Sequence, residues 1–240
     1  MGRAFEFRKE RKFKRWAKMA VQFTRLGKEI AIAVKEGGPH LESNSRLRTA
    51  VQNAKAVNMP KDRIEAAIKR ASEKDSKGYE EHVYEGYGPH GVPILIETAT
   101  DNTNRTVANI RSYFAKAGGS LGKTGSLDFI FQRKSIFRFA AEELDVEELE
   151  LELIDGGLEE LYVEEDEEGK DIVVVQTSFE DFGNMQKLLE EKGIDVKSAK
   201  LERINLSNTE VSEEASAEVM KLIDKIEEDD DVQAVYHNMV

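Results

Sequence analysis

The chain has 240 residues, of which 40% are hydrophobic and 34% charged, with 35 Lys/Arg against 47 Asp/Glu and a formal net charge of −12. That length suits two or three folding units with a buried core, and the lack of any cysteine excludes disulfides, thiolate metal sites and a cysteine nucleophile. The four histidines, His40, His82, His90 and His237, include no i, i+4 pair suited to zinc. No apolar run approaches the ~18–20 residues of a membrane span, and the basic start lacks a signal peptide's apolar stretch, so a cytoplasmic protein is expected.

The charge is segregated. Residues 1–75 carry 19 Lys/Arg against 9 Asp/Glu, and residues 76–240 carry 16 against 38. A basic head on an acidic body is the pattern of a phosphate-binding module. The head is densest at its start, where Arg3, Arg8, Lys9, Arg11, Lys12, Lys14, Arg15 and Lys18 meet only Glu6 and Glu10. Each Lys or Arg that pairs with phosphate releases condensed counterions. A solvated basic arm has the same composition. Phe5, Phe7, Phe13 and Trp16 are interleaved with these cations and suit either stacking on bases or packing on the body.

Three amphipathic helices follow. Phe23, Leu26, Ile30 and Val34 share one helical face, with Arg25, Lys28 and Lys35 off it, and Gly37-Gly38-Pro39 ends the run. A second helix begins near Ser43–Ser45 with Leu47, Val51 and Ala54 inward. A third starts at Pro60, with Ile64, Ala67, Ile68 and Ala71 inward and Lys61, Arg63, Lys69 and Arg70 mostly exposed.

From Tyr79 the period changes. Val92–Thr100 predicts a strand, Asn104–Lys116 a helix stopped by Gly118-Gly119, and Leu127–Arg133 a second strand. An acidic helix over Ala140–Leu153 precedes a hairpin of Leu161–Glu165 and Ile172–Gln176. A helix near Phe179–Glu191 and a strand near Val196–Ile204 complete a β-α-β-β-α-β pattern, the ferredoxin-like arrangement. The last helix, Glu213–Glu227, and strand, Val232–His237, would finish the unit begun at Val92. The fold class is therefore α+β in three domains. These are a basic helical domain (1–78), a middle α/β domain (79–134 plus 205–240) and an inserted acidic ferredoxin-like domain (135–204).

Two glycine motifs resemble nucleotide sites without their context. Ala117–Thr124 fits a permissive P-loop, yet a helix enters it and a strand leaves, the reverse of what a phosphate cradle needs. Gly86–Gly91 matches G-x-G-x-x-G but is followed by a β-branched run rather than a helix, so it reads as a turn between strands. Glu142, Glu143, Glu147, Glu148 and Glu150 read as the wet face of a helix, and Asp229–Asp231 as a solvated turn. Asp101, Asn102, Asn104 and Arg105 sit at a helix start, where capping is favoured over ligand binding. No catalytic constellation, cofactor or small-molecule substrate is expected.

Asn58-Met-Pro-Lys-Asp-Arg-Ile-Glu-Ala-Ala-Ile-Lys-Arg70 resembles a signature of the YebC/PmpR family of regulatory proteins. Tyr84-Glu-Gly-Tyr-Gly-Pro-His-Gly-Val92, Thr100-Asp-Asn-Thr-Asn-Arg-Thr-Val107 and Gly118-Gly-Ser-Leu-Gly-Lys-Thr-Gly-Ser126 are similar to its others, in the same order, and Asp230-Asp-Val-Gln-Ala-Val-Tyr-His-Asn238 is similar too. At the start, Phe13-Lys-Arg-Trp-Ala-Lys-Met-Ala20 keeps Trp16 and the basic character but lacks the histidines usual there. The resemblance implies a three-domain, non-enzymatic nucleic-acid-binding regulator, usually of transcription through DNA. Some relatives relieve stalls at proline-rich stretches on ribosomes, which makes ribosomal RNA the alternative partner. A protein-interaction module without nucleic-acid binding is the third reading. Expected contacts are Lys9, Arg11, Lys12, Lys14, Arg15, Trp16, Lys18, Arg25, Lys28, Lys61, Arg63, Lys69 and Arg70. Few amide side chains accompany them on the third helix, so phosphate gripping rather than base reading is expected.

Overall fold

The computed structural model describes residues 3–73, 77–142, 144–166 and 169–240, with side chains described at Trp16 and from Lys18 onward. Two compact units are formed, one by residues 1–127 with 207–240 and the other by residues 128–206.

The first unit opens with α1 (Arg3–Gly37), α2 (Ser45–Ala56) and α3 (Lys61–Ser72). At 35 residues α1 is about 50 Å long by helical rise, so the basic start is the leading end of a long helix. The expected apolar stripes meet in one core, where Leu26, Ile30 and Val34 pack with Leu47, Val51, Ala54, Ile64 and Ala71, and Phe23, Ala67 and Ile68 flank them. Asn44 fixes the α1–α2 corner. Its carbonyl accepts from Leu47 N at 2.9 Å, and its amide donates to Ala33 O at 2.7 Å and Gly38 O at 2.8 Å.

The same unit holds an antiparallel sheet of order β3-β1-β2-β8, from β1 (Glu80–Tyr87), β2 (Pro93–Thr100), β3 (Ser120–Leu121) and β8 (Val232–His237). Helices α4 (Thr103–Lys116) and α7 (Glu213–Glu227) supply Ile110, Phe114, Val219, Leu222 and Ile226 to its core with Ile94 and Ile96. The carboxy-terminal helix and strand thus complete the sheet begun before residue 100. The β3–β1 pairing needs a small residue, because a Cβ on Gly119 would stand 2.4 Å from Tyr87 O. The preceding Gly118 takes φ +77° to end α4.

The second unit runs β4 (Phe131–Ala140), α5 (Val146–Leu153), β5 (Leu158–Glu165), β6 (Asp171–Ser178), α6 (Phe182–Glu191) and β7 (Val196–Asn205). Its antiparallel sheet has the order β5-β6-β4-β7, the ferredoxin-like arrangement. Phe137, Phe139, Val173 and Val175 form its core with Leu149, Leu153, Met185 and Leu189 from the two helices.

Two expected elements fall differently. The strand expected at Leu127–Arg133 begins at Phe131, runs to Ala140 and pairs with β6 and β7 rather than in the middle sheet. Leu127 is instead a buried anchor whose N–H donates to the Glu85 carboxylate at 2.6 Å. The acidic helix expected from Ala140 starts at Val146, where the Asp145 side chain accepts from Glu147 N and Glu148 N, both at 3.1 Å.

Candidate nucleic-acid interface

Helix α3 begins at Pro60–Lys61 and buries Ile64 and Ala71, which leaves Lys61, Arg63, Lys69 and Arg70 exposed. Lys61 has only a loose i, i+4 pairing with Glu65 at 3.6 Å, and the Arg63 guanidinium lies over the Phe23 ring, 5.7 Å from its centroid. Lys69 and Arg70 sit in the last turn, where the helix dipole favours cations. Among the described residues no carboxylate pairs with Arg63, Lys69 or Arg70. One short helix therefore presents four cations to solvent. Along α1, Trp16 is 52% exposed and Lys18 is exposed. The side chains of Lys9, Arg11, Lys12, Lys14 and Arg15 lie outside the described residues.

Arg25 and Lys28 are placed differently from the cations of α3. They lie on a second face of α1, which seats the bundle on the middle sheet. Arg25 donates through Nε to Val232 O at 3.0 Å and through a terminal nitrogen to Glu227 O at 3.2 Å. Burial pulls its pKa down and nearby Glu227 works the other way. Lys28 is buried, and its three ammonium donors go to Ala99 O at 2.9 Å, Asp230 O at 2.7 Å and Asp231 Oδ1 at 2.8 Å. The ring of Tyr79 stands 5.1 Å from the same nitrogen. No donor of Lys28 is left for phosphate.

Asp231 is the residue that sequence reasoning misplaced, for it is no solvated turn but a buried hub at 4% exposure. Its Oδ2 accepts from Arg105 at 2.6 Å, Thr106 Oγ1 at 2.8 Å and Thr100 Oγ1 at 3.1 Å. Burial alone would push this carboxyl up, but the hydrogen bonds from Lys28, Arg105 and Thr106 outweigh it and hold the pKa at about 2. Three residues of the Thr100–Val107 motif, Thr100, Arg105 and Thr106, thus serve this joint. Asn102 caps α4 by accepting from Arg105 N at 3.1 Å, and Asp101 pairs with Arg105 at 2.9 Å.

The glycine motifs have structural duties. In and just after the Gly118–Ser126 segment, backbone N–H groups are turned to Glu85 rather than outward to a ligand. Gly125 N and Leu127 N donate to the Glu85 carboxylate at 2.7 and 2.6 Å, and Gly122 N donates to Glu85 O at 2.7 Å. Of Gly86–Gly91, Gly86 and Tyr87 end β1 and Gly88–Gly91 form the turn to β2, in which His90 and Gly91 take φ of 60° and 74°. Among the described residues no cluster of three or more His, Asp or Glu could hold a metal ion, and no helix is long and apolar enough to cross a membrane.

Residues 3–74 match the TACO1/YebC protein N-terminal domain and residues 79–239 the TACO1/YebC second and third domain. A protein from Flavobacterium johnsoniae named a probable transcriptional regulatory protein is 57% identical over 239 residues, covering 100% of this chain and 99% of its own. One of the same name from Cytophaga hutchinsonii is 58% identical, with 100% and 98% covered. A crystal structure of a conserved hypothetical protein from Aquifex aeolicus superposes with a TM-score of 0.78 at 37% identity, covering 93% of this chain and 91% of the other.

Proposed function

The chain belongs to the TACO1/YebC family, and from that membership and the chemistry of its bundle we propose that it is a non-enzymatic regulator of transcription that binds duplex DNA through α1 and α3. The observation that carries this reading is the exposed set Arg63, Lys69 and Arg70 on α3, without a carboxylate partner among the described residues, together with the Lys- and Arg-rich sequence at the start of α1. Relatives named probable transcriptional regulatory proteins support the regulatory role. The chemistry favours phosphate: α3 offers guanidinium and ammonium groups but no exposed Asn or Gln to pair with base edges. Its contribution is then affinity and orientation more than sequence readout.

The test is a mobility-shift series across salt concentrations with duplex DNA, structured RNA and ribosomes in parallel. Reversing Lys9, Arg11, Lys12, Lys14 and Arg15 to Glu should abolish binding with little change in thermal stability. Reversing Arg63, Lys69 and Arg70 should flatten the dependence of log K on log salt on DNA, by roughly 0.9 for each phosphate no longer neutralised. Unchanged affinity and slope in both variants would refute the reading. Preference for ribosomes over duplex DNA at matched salt would move the function to translation.

A further inference from the structure

On the middle sheet, α4 and α7 line an open cleft of about 420 Å³, within the ~300–1,000 Å³ of small-ligand sites. Pro89, Ala117 and Leu222 give it an apolar lining and Tyr113 an aromatic one. Lys116 from α4 and Lys221 from α7 stand on facing walls. Lys225 pairs with Glu228 at 2.8 Å, and the Glu218 carboxylate is hydrogen-bonded to the His90 ring at 2.8 Å. Lys116 and Lys221 have no carboxylate partner among the described residues. The Tyr113 hydroxyl donates to Asp229 Oδ2 at 2.9 Å, so its proton is already engaged and the ring is what Tyr113 adds to the lining. On an acidic body, two unmatched ammonium groups over apolar walls call for a particular occupant: a dianion with a flat apolar part.

We propose that this cleft binds a small amphipathic anion of the aromatic phosphate monoester class, up to a mononucleotide in size. The phosphate would lie between Lys116 and Lys221 and the ring against Tyr113 and Leu222. Occupancy would be felt at the bundle joint, and that regulatory consequence rests on the function proposed above. Tyr113 and Asn109 both donate to Asp229 Oδ2, at 2.9 and 3.1 Å. Asp229 Oδ1 accepts from Asp231 N at 3.0 Å, and Asp231 holds Lys28. Arg25 in turn grips Glu227 O at the end of α7. A ligand that shifts Tyr113 or α7 therefore acts on the turn that seats α1.

The experiment is calorimetric titration of the full chain with phenyl phosphate, adenosine 5′-monophosphate and inorganic phosphate, without nucleic acid. Its outcome is therefore independent of whether DNA is bound. Phenyl phosphate or the nucleotide should bind at least about tenfold more tightly than inorganic phosphate, and Lys116→Gln with Lys221→Gln should cost at least about tenfold in affinity. These lysines lie on the surface and the variant should keep its far-ultraviolet circular dichroism. Which of the two aromatic probes binds better tells a nucleotide site from a general aryl phosphate site. No saturable binding of either by about 10 mM, or equal binding by the double variant, overturns the proposal. Amide hydrogen exchange at 229–231 should change on saturation, and unchanged exchange there overturns the coupling.

Discussion

Replacing Lys28 by Met tests whether the bundle is held to the middle sheet by a charged joint. Methionine fills the volume of the lysine stem but supplies none of its three hydrogen bonds, so Ala99 O, Asp230 O and Asp231 Oδ1 each lose a donor. A hydrogen bond to a charged group is worth about 1.5–3 kcal/mol, and breaking a buried ion pair costs about 3–5 kcal/mol because one charge is left unmatched. Asp231 keeps Arg105, Thr106 and Thr100, so the lower end applies, about 3 kcal/mol. With a urea slope of about 1–3 kcal/mol per M, the unfolding midpoint should fall by roughly 1–3 M.

The same variant has a pH signature. The Asp231 carboxyl lies at about 2 in the folded chain against an ordinary value of 3.8. A depressed folded value means the stabilisation is complete above the ordinary value and is lost as pH falls from 3.8 towards 2. Removing Lys28 takes away a hydrogen bond that lowers this value and leaves the burial that raises it, so acid unfolding should begin at higher pH. Urea titrations monitored by circular dichroism at neutral pH and through the acid range measure both effects. An unfolding free energy within about 0.5 kcal/mol of the parent, with an unmoved acid limb, would refute the joint.

Asn44→Ala removes the α2 cap and takes a donor from each of the carbonyls of Ala33 and Gly38, which should cost about 1–2 kcal/mol by denaturant unfolding; a loss below about 0.5 kcal/mol would mean the corner is held by packing alone. Tyr113 should titrate at about 12 in an ultraviolet absorbance titration, raised by burial and by its hydrogen bond to Asp229. Its contribution to stability is therefore complete below the ordinary phenol value of 10.0 and is lost as pH rises towards 12; a phenol that ionises near 10 would remove that contribution. The fragment 128–206 carries its own core and sheet and should fold alone, with cooperative thermal loss of its circular dichroism; an unstructured fragment would show that its core needs the rest of the chain.

Why the bundle was legible and its joint was not comes down to period and distance. Leu26, Ile30 and Val34 repeat at helical spacing, so their burial follows from local pattern. The helices, hairpin and last strand of the ferredoxin-like unit were legible because they follow one another in sequence, whereas its first strand, β4, was expected in the middle sheet. β1 and β3 were harder: Glu80, Glu81, His82, Glu85 and Gly86 make a polar strand, and Ser120–Leu121 is too short for any period. Lys28 posed a different problem. Its partner Asp231 lies 203 positions away, and no local rule tells an internal cation from a solvated one.

One local signal for that second face was present. Ile32 is buried at 6% exposure yet stands off the Phe23–Val34 stripe, and with Arg25 and Lys28 it follows an i, i+3, i+7 row. An apolar residue among cations on a nominally wet helix face means that the face is covered. What covers it here is the acidic turn Glu227–Asp231, which supplies carbonyls and a carboxylate to Arg25 and Lys28. Segregation of charge along the chain therefore has two physical consequences rather than one. Part of the basic head is matched internally by the acidic carboxy-terminal segment and fixes the orientation of α1. Among the described residues the cations Arg63, Lys69 and Arg70 of α3 have no such match, and they are left with charge to offer a phosphate backbone. For an interior cation, loss of the partner destabilises the fold; for an α3 cation, reversal should change binding and its salt dependence while leaving the unfolding midpoint in place.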